Sequence, residues 1–504
     1  MSGGGATGLV HIGVLKALEE NQIPIDYICG TSAGALVGSM YACGWTPKEM
    51  EAYATSPSFQ MMTTGTIPSG RRYLYRESDP DASMLALPFS PDSLLTTSIP
   101  MNVIRPRFLD IEMLRIMGVP GALVGKDFNH LLVPFRCVAS DVIHKKSVVF
   151  DSGDLNAAVR ASMTYPLYIN PIKINDIIYF DGGLYNNFPV NVLYNEFNPD
   201  FIIGCNVADN GVLPDEHNFI GLLDHMTRTP TDYSLPCTQG ILIQPKSNVG
   251  TFDFSKVQQA IDSGYFETMK LMDSLKRLIS SRADSTQLKK RRGELKCDVS
   301  SKVISEIDIS FHEKKSPSYV SHSLMKARKQ EPITWEQFEN RYYRLYASQQ
   351  IDYLYPTFNE KSDSSYTLDL YVRKAKPLLL SVGGHLSSRP VNSGYLGLTY
   401  RHMGRSAASL HAETRLQSLN ESLVAYVDAK QSQNESTIDE FVKQKALLIS
   451  EIRQSVDTIR RQLSAPSSGT TPRTESSVSG TTPIIDDGLY VALENHFRGS
   501  RDAV

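Results

Sequence analysis

The stretch Cys29-Gly30-Thr31-Ser32-Ala33-Gly34 follows an apolar run at residues 23–28 and precedes an apolar segment at residues 35–42. Its G-x-S-x-G pattern is typical of a sharp turn between a strand and a buried helix, where Gly30 and Gly34 must be small because chain and helix come close. The N-terminus of that helix would place partial positive charge beside the Ser32 hydroxyl. The pattern alone is a weak signal, because strand–turn–helix units often contain Gly and Ser. It marks Ser32 as a candidate nucleophile, with Gly30, Thr31, Ala33 and Gly34 forming the turn around it.

A second glycine-rich stretch, Ser2-Gly3-Gly4-Gly5-Ala6-Thr7-Gly8, precedes a predicted helix at residues 9–21. At a helix N-terminus, the free N–H groups of Gly3, Gly4 and Gly5 would form an anion site, which in acyl transfer is an oxyanion hole. A phosphate-binding loop or a plain tight turn is the alternative, although no Gly-Lys-Ser/Thr follows as in a Walker loop. His11, near the start of the helix, is interpreted as a packed or capping residue rather than a catalytic one.

Apolar runs alternate with helical segments in the first half of the chain. This order predicts an α/β fold, a three-layer sandwich with a mostly parallel central sheet. Buried strands are predicted at residues 131–140, 146–150, 178–180, 201–207 and 240–245, and one long helix at residues 254–279. Residues 58–125 have poor periodicity, and we interpret them as an irregular wall that covers substrate or, equally, as a surface excursion.

Asp181 follows an apolar strand and precedes Gly182 and Gly183. This is where a functional carboxylate on a parallel sheet would lie. A plain Asp-Gly turn is the alternative reading of the same residues.

The composition excludes several functions. The 504 residues have a net charge of −3, which gives no electrostatic case for nucleic-acid binding. The six cysteines are scattered without zinc-binding spacing and indicate no disulfide framework. There is no apolar run of about 18 residues, so no transmembrane helix is predicted. No signal peptide is apparent, and the glycine loop has no strand before it, so we expect the natural chain to begin further upstream.

Three ordered motifs resemble the patatin-like phospholipase family: GGGATG at residues 3–8, GTSAG at residues 30–34 and DGG at residues 181–183. The segments HIGVLKALEEN and VRASMTYP are similar to that family too, and the resemblance covers residues 1–285. It implies a lipid acyl hydrolase, a phospholipase A-type enzyme or esterase that cleaves carboxylic ester bonds in lipid catabolism. It also implies a Ser–Asp dyad, with no catalytic histidine, metal or cofactor.

By position in these motifs, Ser32 would be the nucleophile, Asp181 would take and return its proton, and Gly3, Gly4 and Gly5 would hold the oxyanion. Two departures stand out: Thr7 occupies a place where the family usually has Arg or Lys, and the strand that normally precedes the loop is absent. A catalytically impaired interaction module is therefore one alternative. Another is an α/β-hydrolase with a Ser-Asp-His triad that uses His217 or His225.

The expected partners are a phospholipid or other lipid ester, a membrane surface and, for a homo-oligomer, a second copy of the chain. Bacterial relatives in this family imply the outer membrane or periplasm of a diderm bacterium.

The second half predicts further segments. Residues 300–375 follow a β-α-α-β-β order that resembles a POTRA domain, with a generic small α+β domain as the alternative. Residues 376–416 resemble the first strands of an outer-membrane barrel, too few to close one. Residues 417–463 are predicted as a helical segment with heptad spacing and 464–504 as a disordered tail. We attribute this last part to a frame change or fusion, with a true oligomerisation helix as the alternative.

Overall fold

The computed structural model describes residues 1–71, 73, 81–90, 104–211, 215, 217, 219–237, 239–295, 299–312, 318–324, 332–361, 365–385, 393–417 and 420–428. The disordered tail predicted at 464–504 lies outside these residues, as does the predicted helical segment beyond residue 428.

The helices, in chain order, are α1 (Val10–Glu20), α2 (Ala33–Ala42), α3 (Pro47–Ala54), α4 (Pro57–Thr64), α5 (Arg107–Leu123), α6 (Leu155–Ser162), α7 (Val190–Phe197), α8 (Phe219–Thr227), α9 (Val257–Lys270), α10 (Met272–Leu278), α11 (Ser285–Leu295), α12 (Ser318–Leu324) and α13 (Trp335–Ala347).

The strands are β1 (Ile28–Thr31), β2 (Leu85–Phe89), β3 (Phe135–Asp141), β4 (Lys146–Phe150), β5 (Ile172–Ile174), β6 (Ile177–Asp181), β7 (Ile202–Cys205), β8 (Gly240–Ile243), β9 (Val303–Phe311), β10 (Ile333–Thr334), β11 (Ile351–Glu360), β12 (Tyr366–Lys374), β13 (Leu378–His385), β14 (Ser393–Met403), β15 (Ala407–Gln417) and β16 (Asn420–Asp428).

The first half is an α/β fold, as predicted, but its sheet is mixed rather than mostly parallel. Strand β1 pairs parallel with β3, whereas β4 and β6 pair antiparallel with β3, and β5 pairs antiparallel with β6. The short connections explain the difference. Strands β5 and β6 are joined by Asn175 and Asp176, both with positive φ, and so few residues can join only antiparallel neighbours.

Residues 1 and 2 lie between β1 and β7 and connect the two sheets of the first half. The Met1 nitrogen donates to the Cys29 carbonyl at 2.8 Å, and the Thr31 N–H donates to the Met1 carbonyl at 3.2 Å. On the other side, the Ser2 N–H donates to the Cys205 carbonyl at 3.0 Å. The glycine loop is therefore held on both sides by backbone hydrogen bonds.

Within the described part of residues 58–125, the interpretation as an irregular wall is wrong for the buried helix α5. Fourteen of its 17 residues are buried, including Asp110 and Glu112. A helix buried on all sides lacks the polar face that produces helical periodicity, which is why the sequence pattern did not reveal it. The predicted helix at residues 254–279 is also divided, into α9 and α10, at Leu271.

The second half begins with a sheet of order β10-β9-β12-β11, covered by α12 and α13. The order of its main elements matches the predicted β-α-α-β-β order, and Thr334 caps α13. Its identification as a POTRA domain stays a prediction. Helix α5 packs against β11, and the buried apolar cluster is continuous from the first half into this sheet.

A third sheet has the order β16-β15-β14-β13-β2. Strand β2 comes from the segment predicted as a wall and pairs antiparallel with β13. Strand β16 contradicts the predicted start of a helix at residue 417, since residues 420–428 pair with β15 and continue the sheet past Leu416. Among the described residues this sheet is open at both edges, so the barrel-like region stays a prediction.

Among the described residues, no helix combines the length and the hydrophobicity needed to cross a membrane.

Candidate active site

Ser32 lies on the sharp turn between β1 and α2. Its backbone has φ 54° and ψ −121°, a conformation that L-residues rarely adopt and that lifts the side chain out of the turn. The turn leaves no space at its glycines, because a Cβ atom on Gly30 would lie 2.4 Å from the Gly34 carbonyl oxygen. Gly30 is therefore required by a contact within the turn, whereas Gly34 is required by the N-terminal segment, since a Cβ atom there would lie 2.6 Å from the Ser2 carbonyl oxygen.

The structure brings together Ser32 and Asp181, which are 149 residues apart in the sequence. The Ser32 Oγ donates to the Asp181 Oδ2 at 2.6 Å. The second carboxylate oxygen, Oδ1, accepts the Gly183 N–H at 2.8 Å, and the Asp181 N–H donates to the Thr164 carbonyl at 2.8 Å. Both the carboxylate and its backbone are thus fixed beside the serine hydroxyl.

The Asp181 side chain is buried, with an exposed fraction of 5%. Burial raises the pKa of its carboxyl to about 6, against the hydrogen bonds from Ser32 and Gly183 and the nearby charge of Arg228, which lower it. A carboxylate with a raised pKa is a stronger base than an ordinary aspartate and is still ionised at neutral pH.

The glycine loop lies beside this pair, but only part of it is open to a ligand. We expected the Gly3 N–H to be free. It donates instead to the Asn187 carbonyl at 3.1 Å. In the described part of the chain, the N–H groups of Gly4 and Gly5 have no acceptor. The Thr7 hydroxyl donates to the Gly4 carbonyl at 2.7 Å and so closes the loop from within.

His11 is fully buried beneath the loop, in agreement with the packed interpretation. Its Nε2 lies 2.8 Å from the Ser2 carbonyl, which can only accept, so this nitrogen carries the proton. Burial lowers the pKa of the imidazole to about 3, and the ring is therefore neutral. Its position makes it an anchor of the loop rather than a proton carrier.

Asn187 is a site residue that the sequence motifs did not reveal. A Cβ atom on Gly3 would lie 2.4 Å from its Oδ1, and one on Gly183 would lie 2.8 Å from it. Asn187 therefore fills the space between the glycine loop and the DGG loop. Its Nδ2 donates to the Tyr233 hydroxyl at 3.0 Å, and this contact connects residues too distant in sequence for any motif to join.

Ser162 is the second missed residue, although it lies within the quoted segment VRASMTYP. Its hydroxyl accepts the Ser32 N–H at 2.9 Å and donates to the Val138 carbonyl at 2.6 Å. The last residue of α6 thus holds the turn that carries Ser32 against β3.

The triad alternative receives no support from the positions of the two candidate histidines. His217 and His225 are exposed, and the Ser32 hydroxyl donates directly to Asp181.

Comparison with known proteins identifies the domain that contains this site. Residues 1–194 match the sequence model of the patatin-like phospholipase family. An uncharacterized NTE family protein of Mycobacterium tuberculosis is 25% identical over 292 residues, which cover 52% of this chain and 44% of that protein. Lysophospholipase NTE1 of Mycosarcoma maydis is 31% identical over 193 residues, which cover 38% of this chain and 9% of that protein. The N-terminal part is a patatin-like phospholipase domain with homologues in the NTE family.

This chain spans less than half the length of these curated relatives. Among solved structures, VipD from Legionella pneumophila aligns with a TM-score of 0.31 and 14% identity, covering 54% of this chain and 66% of that one.

Proposed function

We propose that this protein is a lipid acyl hydrolase that cleaves carboxylic ester bonds with a Ser32–Asp181 dyad. The observation that carries the proposal is the 2.6 Å hydrogen bond from the Ser32 hydroxyl to a buried carboxylate. A nucleophile within hydrogen-bond reach of its base is the arrangement that covalent acyl transfer requires. The patatin-like phospholipase domain and the lysophospholipase relative support a lipid ester as the substrate.

The reaction begins when Asp181 accepts the Ser32 proton as Oγ attacks the ester carbonyl carbon. The carbonyl oxygen gains the negative charge, which the free N–H groups of Gly4 and Gly5 stabilise, together with the positive N-terminal end of α2. Collapse of this intermediate breaks the bond to the alcohol, which takes the proton from Asp181 and leaves an acyl-serine.

Water completes the cycle by the same route in reverse. Asp181 accepts a proton from the attacking water, the second tetrahedral intermediate forms, and Ser32 leaves with that proton while the fatty acid is released. The raised pKa of the Asp181 carboxyl matches both proton transfers, because it lies closer to neutral pH than that of an ordinary aspartate.

Hydrolysis of a p-nitrophenyl ester by the full chain and by Ser32→Ala tests this function. We expect the rate of the variant to approach that of uncatalysed hydrolysis, and a fluorophosphonate probe to label Ser32 in the wild type alone. Equal rates for the two proteins would refute the hydrolase.

A second function, a catalytically impaired patatin-like interaction module, has one observation in its favour. Of the three glycines expected to hold the oxyanion, Gly3 donates its N–H to Asn187 instead. This module would bind the fluorophosphonate probe and the ester poorly while remaining folded, and the same assay separates it from the hydrolase.

A further inference from the structure

Arg228 lies beside the candidate active site on a segment that none of the motifs includes. We define residues 228–233 as the strap, because they cross the loop that follows Asp181. The Thr229 N–H donates to the Leu184 carbonyl at 2.7 Å, and the Thr231 Oγ1 accepts the Asn187 N–H at 3.1 Å. These hydrogen bonds fix the start of the strap, and with it Arg228, against the DGG loop.

The guanidinium of Arg228 is oriented by Tyr165. Its Nη2 donates to the Tyr165 hydroxyl at 3.3 Å, and its Cζ lies 5.9 Å from the centroid of the Tyr165 ring. Tyr165 directly follows Thr164, whose carbonyl accepts the Asp181 N–H. Arg228 is also close enough for its charge to act on the Asp181 carboxylate and on the Tyr233 hydroxyl. A cation held by Tyr165 therefore lies within electrostatic range of the dyad.

An aromatic surface continues from Arg228 toward the glycine loop. Phe252, with an exposed fraction of 49%, packs against Tyr165 and Tyr168 at centroid distances of 5.5 and 4.6 Å. We call these three residues the aromatic ridge. Phe252 follows Thr251, whose carbonyl accepts the Ala6 N–H at 2.8 Å. The ridge therefore begins beside the glycine loop and ends at a cation.

An apolar surface that ends in a cation beside an ester-cleaving pair fits an amphiphile with a negative group near its ester. Guanidinium binds phosphate through paired, charge-assisted hydrogen bonds, and aromatic rings offer apolar area to an acyl chain. The glycine loop itself supplies no cation, since Thr7 occupies the place where the related family usually has Arg or Lys and bonds to Gly4.

We propose that Arg228 binds the phosphate of a phospholipid or lysophospholipid headgroup while the aromatic ridge contacts the acyl chain. Arg228 is then the residue that selects phosphate-bearing lipids over neutral glycerides. The proposal names the substrate class of the hydrolase proposed above and rests on that function.

The kinetic test uses two substrates with the same palmitoyl ester, lysophosphatidylcholine and monopalmitoylglycerol. For Arg228→Gln we expect the ratio of kcat/KM for the phospholipid to that for the glyceride to fall by about 10- to 100-fold, mainly through KM. Arg228→Lys should recover part of the ratio, since it keeps the charge but loses the paired geometry. The matched control is Arg277→Gln on α10, which should leave the ratio unchanged because the exposed Arg277 contacts only Ser274 among the described residues.

Equal losses of kcat/KM on both substrates would overturn the proposal, because Arg228 would then act through Asp181 and not through phosphate. An unchanged ratio would overturn it as well. Millimolar inorganic phosphate distinguishes the two sources of the anion. Inhibition by free phosphate that Arg228→Gln abolishes, with an unchanged lipid ratio, would identify a site for the free anion and reject the headgroup.

A binding measurement separates this proposal from the hydrolase itself. Calorimetry with dodecylphosphocholine, below its micelle concentration, compares Ser32→Ala with the Ser32→Ala/Arg228→Gln double variant. We expect at least a tenfold lower affinity in the double variant, even if the wild type hydrolyses no ester. Equal affinities would show that Arg228 does not bind the phosphate, and would leave the proposed hydrolase function unaffected.

Discussion

Asp181 and Asp110 are both buried aspartates whose carboxyl pKa is raised by burial to about 6, but they have different partners. Asp181 accepts hydrogen bonds from a serine hydroxyl and a backbone N–H. Asp110 accepts from the guanidinium of Arg160 at 2.8 Å, and both of these side chains are fully buried. The first partner can give up a proton and the second cannot.

The comparison shows that a perturbed pKa reports burial, whereas the partner indicates the role. A carboxylate facing a hydroxyl can perform proton transfer, while one facing a guanidinium forms a structural ion pair. Helix α6 connects the two places, because Arg160 pairs with Asp110 and Ser162 holds the turn of Ser32. The two aspartates therefore make opposite predictions for activity and stability.

The largest effect is expected for Asp181→Asn, measured as ester hydrolysis. Loss of the proton acceptor bonded to the Ser32 hydroxyl should lower kcat by about 10³- to 10⁴-fold, or about 4–5.5 kcal/mol of transition-state stabilisation. The same change at Asp110 removes no proton acceptor from the dyad. The kcat of Asp110→Asn, measured per folded molecule at low temperature, should stay within about threefold of the wild-type value. A comparable loss of kcat in Asp181→Asn and Asp110→Asn would show that the two aspartates do not differ in their role in catalysis.

The second-largest effect is a loss of stability, and we expect it for the variant of Asp110. Asp110→Asn leaves the Arg160 charge buried without its counter-ion, and breaking a buried pair in this way typically costs about 3–5 kcal/mol of the free energy of unfolding. Urea denaturation followed by circular dichroism measures the loss.

The matched control replaces both partners, as Asp110→Leu with Arg160→Met. Because no unpaired charge remains, we expect this double variant to recover about half of the loss or more. A double variant as unstable as Asp110→Asn would show that the other hydrogen bonds of Arg160, to Thr164 and to the Asn170 carbonyl, matter more than the ion pair.

The third effect distinguishes the two aspartates by sign. Because the folded-state pKa of Asp181 is raised, proton binding stabilises the fold fully below about pH 4, and this contribution is lost as the pH rises through about 6. Raising the pKa of this carboxyl from 3.8 to about 6 corresponds to roughly 3 kcal/mol of the free energy of unfolding. Asp181→Asn carries no charge, so at pH 8 it should be about 1–3 kcal/mol more stable than the wild type.

This advantage should shrink to zero toward pH 4, as followed by urea denaturation at several pH values. Asp110→Asn should instead be less stable than the wild type at pH 8, because the unpaired Arg160 charge that it leaves in the core costs more than the buried Asp110 charge that it removes. A destabilised Asp181→Asn at pH 8 would mean that its hydrogen bonds outweigh the cost of burying its charge.

The parts of the site that local sequence predicts are those whose contacts are local. Gly30 and Gly34 meet within one turn, as the G-x-S-x-G pattern predicted. Thr46, Pro47 and Glu49 likewise form the first turn of α3, with a capping box made by neighbouring residues alone. The boundaries of β4 were predicted without error for a similar reason, since its apolar run is short and bounded by turns.

What the sequence did not reveal depends on contacts between distant segments. Asn187 carries no local signal, because its partners are distant in sequence: its carbonyl accepts the Gly3 N–H, and its own N–H donates to Thr231 of the strap. Helix α5 was missed because burial on all sides removes the polar face on which periodicity depends. The antiparallel β5–β6 pair was missed because β5, with three residues, gives too few alternations to read.

The smallest effect is expected at Ser162, on the helix that the two aspartates share. Ser162→Ala removes the acceptor of the Ser32 N–H, so the strained turn loses one hydrogen bond, worth about 0.5–1.5 kcal/mol. Because the lost bond positions the nucleophile and does not bind substrate, kcat for ester hydrolysis should fall about tenfold while KM stays constant.

The control is Ser140→Ala, since the buried Ser140 hydroxyl has no hydrogen-bond partner among the described residues and its removal should leave kcat unchanged. Equal kcat values for Ser162→Ala and Ser140→Ala would show that β1 and α2 hold the Ser32 turn without help from α6. The helix that carries Arg160 would then have no part in positioning the nucleophile through Ser162.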